Sequence, residues 1–351
     1  MKKKIVLTGG GTAGHITPNL ALLPYLKKDY DCYYIGSKSG MEKNLVYNLL
    51  PFYEIETTKL KRKFALSNFL IPFKLIKGIS DAKKVLKKIK PDIIFSKGGF
   101  VAVPVVIAAS RLKIPVITHE SDYTLGLANK LIKNKCKYLC TSFDVTSKGL
   151  KNGVYTGSPV RKEIYKGNRE KLYKKYDFDK NKKNLLFIGG SLGSQSINKV
   201  LFESLQGLKQ YNILHIVGKG NLNDNVTQKN YVQLEFLSNV EDAFDFADIV
   251  ITRGGANVLF ELLAIKKPML IIPLGTKESR GDQILNANYF KEKGFANVLL
   301  EENLTKENLI NNINLTIKDK NSLIKSMQNE NINGTEKILK LINDCVKKSV
   351  Q

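Results

Sequence analysis

The sequence predicts an α/β protein made of two Rossmann-like domains, and three observations carry that prediction. Apolar runs of strand length end at glycine-rich turns, and each turn opens a segment whose apolar residues recur at helical spacing. The unit at residues 3–26 is echoed at 185–205, so the second half opens as the first does. A chain of 351 residues with 43% hydrophobic content also has room for two cores, since domains cluster near about 100–150 residues.

The first strand is Lys3–Thr8, and Gly9-Gly10-Gly11-Thr12-Ala13-Gly14-His15 turns from it into a helix that starts near Pro18 and carries Leu20, Leu22, Leu23 and Leu26. Gly9, Gly11 and Gly14 satisfy the GxGxxG spacing of dinucleotide sites. The next strand, 32–35, ends in Gly36-Ser37 rather than in the acid that would hold a ribose, which weakens that reading. Residues 57–80 contain Lys59, Lys61, Arg62, Lys63, Lys74 and Lys77 and no acid, interleaved with Phe64, Phe69, Leu70, Phe73 and Ile76. Basic plus bulky apolar side chains suit a segment lying at a lipid interface, and Pro72 argues against one long helix through it. A strand within 90–95 leads to Lys97-Gly98-Gly99 and an apolar helix. The strand at 115–118 ends in His119-Glu120-Ser121-Asp122, and the small residues and proline of 154–161 suit a hinge.

The second half repeats the scheme with a strand at 185–188, the loop Gly189-Gly190-Ser191-Leu192-Gly193-Ser194 and a helix at 197–205. Further strands at 213–217 and 232–236 follow, the second leading to Leu237. The richest stretch is 248–289. A strand at 249–251 meets Arg253-Gly254-Gly255, a helix at 256–264 carries Val258, Leu259, Leu262 and Leu263, and a strand at 268–272 precedes Gly281-Asp282-Gln283. Glycines at such a turn let a ligand approach the helix N-terminus, whose N–H groups favour anions. Glu261, about one and a half turns in, can accept bonds from sugar hydroxyls. A last helix is expected over 334–348.

The pattern RGGANVLFELLAIKKPMLIIPL followed by SRGDQILNA resembles the donor-nucleotide half of the MurG family of bacterial cell-wall glycosyltransferases. GGGTAGH and SKGGF resemble that family's two N-terminal glycine loops, with Ala13 where a glycine is commoner, and the likeness runs from Gly9 to the region of Phe290. The resemblance implies two Rossmann-like domains facing across a cleft, the GT-B architecture. Residues 1–160 would form an acceptor- and membrane-facing domain, 161–333 a domain binding UDP-N-acetylglucosamine, and 334–351 a helix returning to the first. The implied reaction is inverting transfer of N-acetylglucosamine to the MurNAc 4-hydroxyl of undecaprenyl-diphospho-muramoylpentapeptide, a step of peptidoglycan synthesis and hence of cell shape and division. Single displacement needs no covalent nucleophile.

On this reading the donor contacts are Thr12, Ala13, Gly14, Arg161, Ser191, Leu237, Ala256, Asn257, Val258, Leu259, Phe260, Glu261 and Gln283. Arg161 matches the family's phosphate-facing arginine and Leu237 the residue beside its uracil. The acceptor side takes His119, Glu120 and Asp122, although many members have Asn where this chain has Asp122. A general base contributes about 10²–10⁴-fold, and three histidines are present. His215 sits mid-strand as a structural residue. His15 is the favoured base, because its glycine loop lets an acceptor approach, and Glu120 and Asp122 are competitors. Helix N-termini and Arg161 can offset leaving-group charge, so neither metal nor cofactor is expected, and Gly281-Asp282-Gln283 is not an Asp-X-Asp metal motif.

A formal net charge of +24 fits either an anionic partner (nucleic acid, lipid headgroups or a polyphosphate-bearing substrate) or a general lysine bias of composition, since lysines are scattered along every expected helix. No nucleic-acid-binding motif accompanies it. A basic nucleic-acid-binding protein would explain the charge but not the glycine loops, and a UDP-N-acetylglucosamine 2-epimerase would leave 57–80 unexplained. No apolar run of about 18 residues or signal-peptide core occurs, so the expected location is the cytoplasmic side of the cell membrane, held peripherally at an anionic surface. Cys32, Cys136, Cys140 and Cys345 lack zinc or disulfide-framework spacing and are expected as buried free thiols.

Overall fold

The computed structural model describes residues 2–58, 71–190, 193–276, 281–330 and 334–348. Most of the basic segment, 59–70, and Ser191 therefore lie outside the described residues. The chain divides into two compact units, residues 1–161 with 333–351, and residues 162–332.

The first unit holds strands β1 (Lys3–Thr8), β2 (Tyr30–Ser37), β3 (Phe52–Ile55), β4 (Ile93–Ser96), β5 (Val116–Glu120), β6 (Tyr138–Thr141) and β7 (Gly153–Tyr155). Its connecting helices are α1 (Thr17–Asp29), α2 (Met41–Val46), α3 (Ile71–Ile89), α4 (Ala102–Arg111), α5 (Leu127–Ile132) and α6 (Asp144–Ser147). The strands form one parallel sheet in the order β3-β2-β1-β4-β5-β6-β7. Alternation along β1 decides the two cores: Ile5 and Leu7 face a cluster with α1, while Val6 faces a second cluster with α3 and α4. Pro18 sits in the first turn of α1, where its missing N–H costs nothing. Pro72 is the second described residue of α3, and from it the helix runs unbroken to Ile89.

In the second unit β8 (Lys183–Ile188), β9 (Tyr211–Ile216), β10 (Tyr231–Leu234), β11 (Ile249–Thr252), β12 (Met269–Ile271) and β13 (Ala296–Val298) form a parallel sheet in the order β10-β9-β8-β11-β12-β13. Around it lie α7 (Glu170–Tyr176), α8 (Gln195–Ser204), α9 (Val240–Phe246), α10 (Ala256–Ala264), α11 (Asp282–Glu292), α12 (Lys306–Lys318) and α13 (Lys320–Gln328). Leu185, Phe187, Ile249, Ile251 and Leu270 bury one sheet face against α8 and α12.

Helix α14 (Gly334–Lys348) belongs to the first unit, where Ile338, Ile342, Cys345 and Val346 join the α1 core. Its start is tied down by Thr335, whose hydroxyl accepts from Val160 N at 3.2 Å. A Cβ at Gly334 would come within 2.3 Å of Ser158 O, so only glycine passes here. All four cysteines are buried free thiols.

Strand order reverses between β1 and β4 in the first sheet and between β8 and β11 in the second. In open parallel sheets such switch points open a crevice beyond the strands' carboxyl ends, and each glycine loop of the sequence stands at one.

Candidate active site

At the first switch point two glycine loops pack on one another. Gly11 has φ +90° and an added Cβ would lie 2.3 Å from the Phe100 ring, and a Cβ on Gly99 would lie 2.5 Å from Gly10 O. His15 ends the short 3-10 turn Ala13–His15 that links the first loop to α1. Its Nδ1–H donates to Lys97 O at 3.1 Å, which puts the basic lone pair on Nε2. Thr12 is exposed at the N-cap position of that turn without a side-chain capping bond, and Ala13 and Gly14 are half-buried within it. Ala13 is absent from the left-handed backbone positions, so its Cβ replaces a glycine hydrogen without strain.

The acid that seemed missing from the end of β2 arrives from α2. Glu42 is fully buried, and its carboxylate accepts from Ser37 N at 2.9 Å, from the Ser37 hydroxyl and from Gly11 N at 3.4 Å. A Cβ on Gly10 would lie 2.7 Å from its carboxyl carbon. The first glycine loop is thus braced from below by the buried Glu42 side chain.

His119 and Glu120, expected on the acceptor side, both serve the scaffold. His119 is fully buried, with Nε2 at 3.0 Å from Gly157 O and Nδ1 at 2.5 Å from Lys97 Nζ. Burial, then the neighbouring lysine, holds its pKa well below the usual imidazole range, so it stays neutral with both nitrogens engaged. Glu120 accepts from Asp122 N at 3.2 Å, Gly126 N at 2.8 Å and Asn129 Nδ2 at 2.9 Å, so its carboxylate staples the loop after β5. Asp122 rides on that loop half-buried, and Arg161 is half-buried at the end of the unit.

In the second unit the 189–194 loop turns at Gly190 (φ +95°) and Gly193 (φ +74°). A Cβ on Gly193 would fall 1.9 Å from Val217 O. Ser194 caps α8 by accepting from Ile197 N at 3.4 Å. His215 is structural as expected: its ring bridges Asn198 Oδ1 at 2.9 Å and Tyr231 OH at 2.8 Å, and burial pushes its pKa down to about 3.

The second glycine turn of this sheet leads from β11 into α10, whose N-cap is Gly255, a residue with no side chain to cap the helix. Asn257, Val258 and Glu261 are half-buried on α10. Leu259 and Phe260 are buried, Phe260 edge-on against Phe290 at 5.4 Å, so these two can reach a ligand only through their backbone. Gln283, in the first turn of α11, accepts at Oε1 from both Gly254 N and Leu274 N at 3.1 Å, which aims its amide nitrogen as a donor. Leu237 is half-buried beyond β10, next to Phe236, which is 73% exposed.

Two features escaped the sequence reading. Arg253 pairs with Glu301 at 2.6 Å, and Glu301 also accepts from Ser196 Oγ at 2.5 Å and Gly275 N at 2.8 Å. One ion pair therefore ties the starts of α8 and α10 to the loop after β12. The chain also contains two literal Asp-X-Asp triplets, 29–31 and 177–179. Both stand at the amino ends of strands, β2 and β8, away from the glycine loops.

Residues 5–140 match the Glycosyltransferase family 28 N-terminal domain and residues 184–342 its C-terminal domain. Over 357 residues, 100% of this chain and 99% of the relative, the sequence is 51% identical to the UDP-N-acetylglucosamine--N-acetylmuramyl-(pentapeptide) pyrophosphoryl-undecaprenol N-acetylglucosamine transferase of Clostridium botulinum (strain Alaska E43 / Type E3). The crystal structure of Acinetobacter baumannii MurG is similar with a TM-score of 0.75 and 26% identity, covering 97% of this chain and 99% of that one. A UDP-GlcNAc 2-epimerase from Neisseria meningitidis shares the fold at a TM-score of 0.67 and 15% identity, covering 98% of this chain and 100% of that one.

Proposed function

The chain belongs to the MurG family of glycosyltransferases, and from that premise we propose how its residues carry out the reaction. The enzyme transfers N-acetylglucosamine from UDP-N-acetylglucosamine to N-acetylmuramyl-(pentapeptide) pyrophosphoryl-undecaprenol, a step of peptidoglycan synthesis. One observation carries the activity: 51% identity to a transferase of that name across the whole of both chains.

The second unit binds the donor. Glu261 takes the ribose hydroxyls and Gln283 donates its amide hydrogens to the N-acetylglucosamine. Leu237 lies beside the uracil. The N–H groups at the start of α10 and the loop containing Ser191 take the diphosphate, supported by the absence of a side-chain cap at Gly255. Such helix ends, with Arg161 and the turn at Thr12, Ala13 and Gly14, offset charge on the leaving diphosphate, each helix end contributing about 0.3–2 kcal/mol. No divalent ion has a part in this scheme.

The first unit binds the acceptor. His15 removes the proton from the MurNAc 4-hydroxyl as that oxygen attacks the anomeric carbon. Lys97 O, by accepting the Nδ1–H, keeps Nε2 the basic nitrogen and stabilises the imidazolium that forms. Inversion follows from the single displacement.

The first unit also docks on anionic lipid at the cytoplasmic face of the membrane, without crossing it. Among the described residues no helix is long and apolar enough to span a bilayer. On α3, Phe73 and Ile76 are 72% and 66% exposed and adjoin Lys74 and Lys77 in sequence, which supports an interfacial role for this helix.

The test is incubation with labelled UDP-N-acetylglucosamine and a prenyl-diphospho-muramoylpentapeptide, followed by isolation of a disaccharide lipid. His15→Ala should lower kcat by about 10²–10⁴-fold with donor binding nearly intact. Activity within a few-fold of the parent removes His15 as the base and makes Asp122 the next residue to test.

A further inference from the structure

Lys97 follows β4 in the second glycine loop and is 1% exposed, yet no step of the reaction described above uses its side chain. Its backbone and amine point to two different parts of the first unit. The Lys97 N–H donates to Thr8 O at 2.8 Å, and its carbonyl accepts from His15 Nδ1. Its Nζ lies 2.5 Å from both His119 Nδ1 and Ser121 Oγ. Because His119 Nε2 faces Gly157 O, the proton on that ring sits at Nε2, and Nδ1 is the acceptor for Lys97.

We propose that Lys97 is a positioning residue for the acceptor side of the reaction: through its carbonyl it holds the His15 ring, and through its amine it holds the loop carrying Ser121 and Asp122, so that base and loop keep one geometry. The inference rests on the reading of His15 as the base.

Proton count gives this brace a pH dependence. Two acceptors meet the amine, which matches the two protons of its neutral form. Among the described residues no third acceptor stands at hydrogen-bond distance for an ammonium. Burial pushes the group down to about 8, opposed by Glu120 and Asp122 after β5 and by Cys140 on β6. The other ionisable groups around it are His119 on β5, held neutral, and His15 beyond the first loop. As pH rises through about 8 both hydrogen bonds persist, but the positive charge beneath the Asp122 loop disappears. An acceptor bearing a diphosphate then loses an attractive charge in a low-dielectric site.

The experiment measures kcat/KM for a short-chain, water-soluble prenyl-diphospho acceptor from pH 6.5 to 9, together with KM for UDP-N-acetylglucosamine. It compares the parent, Lys97→Met, Ser121→Ala and His15→Ala. The parent should lose acceptor kcat/KM as pH passes about 8 while the donor KM stays level. Lys97→Met should be about 10–100-fold poorer on the acceptor, an effect of one or two hydrogen bonds to a charged group, and should lack that descending limb. Ser121→Ala, which leaves the amine and its charge in place, should lose less and keep the limb. A Lys97→Met enzyme with the parent's rate and profile overturns the proposal. Should that variant fail to fold, a flat parent profile across pH 7–9 overturns it equally. If His15→Ala cripples transfer while Lys97→Met behaves as the parent, this inference alone fails. If His15→Ala is also active, the reading of the base fails with it.

Discussion

Replacing Gln283 by glutamate separates what this side chain holds from what it offers. Its Oε1 accepts from Gly254 N and Leu274 N, each at 3.1 Å, so it joins the turn before α10 to the loop after β12. A carboxylate can accept both bonds, and backbone bonds to a charged acceptor contribute about 1.5–3 kcal/mol against about 0.5–1.5 for a neutral one. The brace therefore survives Gln283→Glu. What disappears is the amide donor, about 0.5–1.5 kcal/mol, and a carboxylate near a diphosphate adds repulsion on the order of 1 kcal/mol or more. A total of about 2–3 kcal/mol corresponds to roughly 30–150-fold weaker binding of UDP-N-acetylglucosamine. Gln283→Ala loses both brace and donor. Calorimetric titration with UDP and with the nucleotide sugar, alongside thermal unfolding, distinguishes the contributions. Gln283→Glu should unfold like the parent and discriminate against the nucleotide sugar more than against UDP. If Gln283→Glu binds as the parent does and only Gln283→Ala is impaired, the residue is a brace and the sugar contact is wrong.

Glu261→Ala should raise the donor KM by about 10–150-fold, the worth of a charge-assisted bond to ribose, and an unchanged KM takes Glu261 out of the site. His215 makes a stability prediction. Its folded pKa is depressed to about 3 while the unfolded imidazole titrates near about 6.5, so its contribution is intact above about 6.5 and is lost as pH falls toward 3. At pH 4.5 that loss is about 2–3 kcal/mol; urea unfolding of His215→Gln should show a shallower decline between pH 6.5 and 4.5, and parallel curves for variant and parent contradict it. Changing Lys59, Lys61, Arg62 and Lys63 to glutamine should weaken sedimentation with anionic vesicles, at about 1 kcal/mol per charge, while sparing activity on a soluble acceptor. Equal sedimentation would make the segment an ordinary solvated surface.

The glycine loops were legible because their cause is local. A strand, a glycine turn and a helix with its apolar residues at helical spacing are written in consecutive residues, so β1 and α10 emerge with the bounds expected of them. His15 could be singled out for the same reason, standing in the loop itself. The two-sheet architecture, the family and the activity followed from motifs spaced along the whole chain. Tertiary structure alone decided what each polar group is doing. His119 and Glu120 looked like candidate acids and bases, yet folding places partners 38 residues away for the one and 9 for the other, and those bonds turn both into supports. Glu42 reaches the first loop across 31 positions, and Arg253 finds Glu301 across 48. Lys97 was visible as one basic residue in a basic protein. Its burial, its neutralising environment and its hold on His15 arise only when β1, β4 and β5 lie side by side, because desolvation and hydrogen-bond partnership belong to the packed neighbourhood and not to the residue.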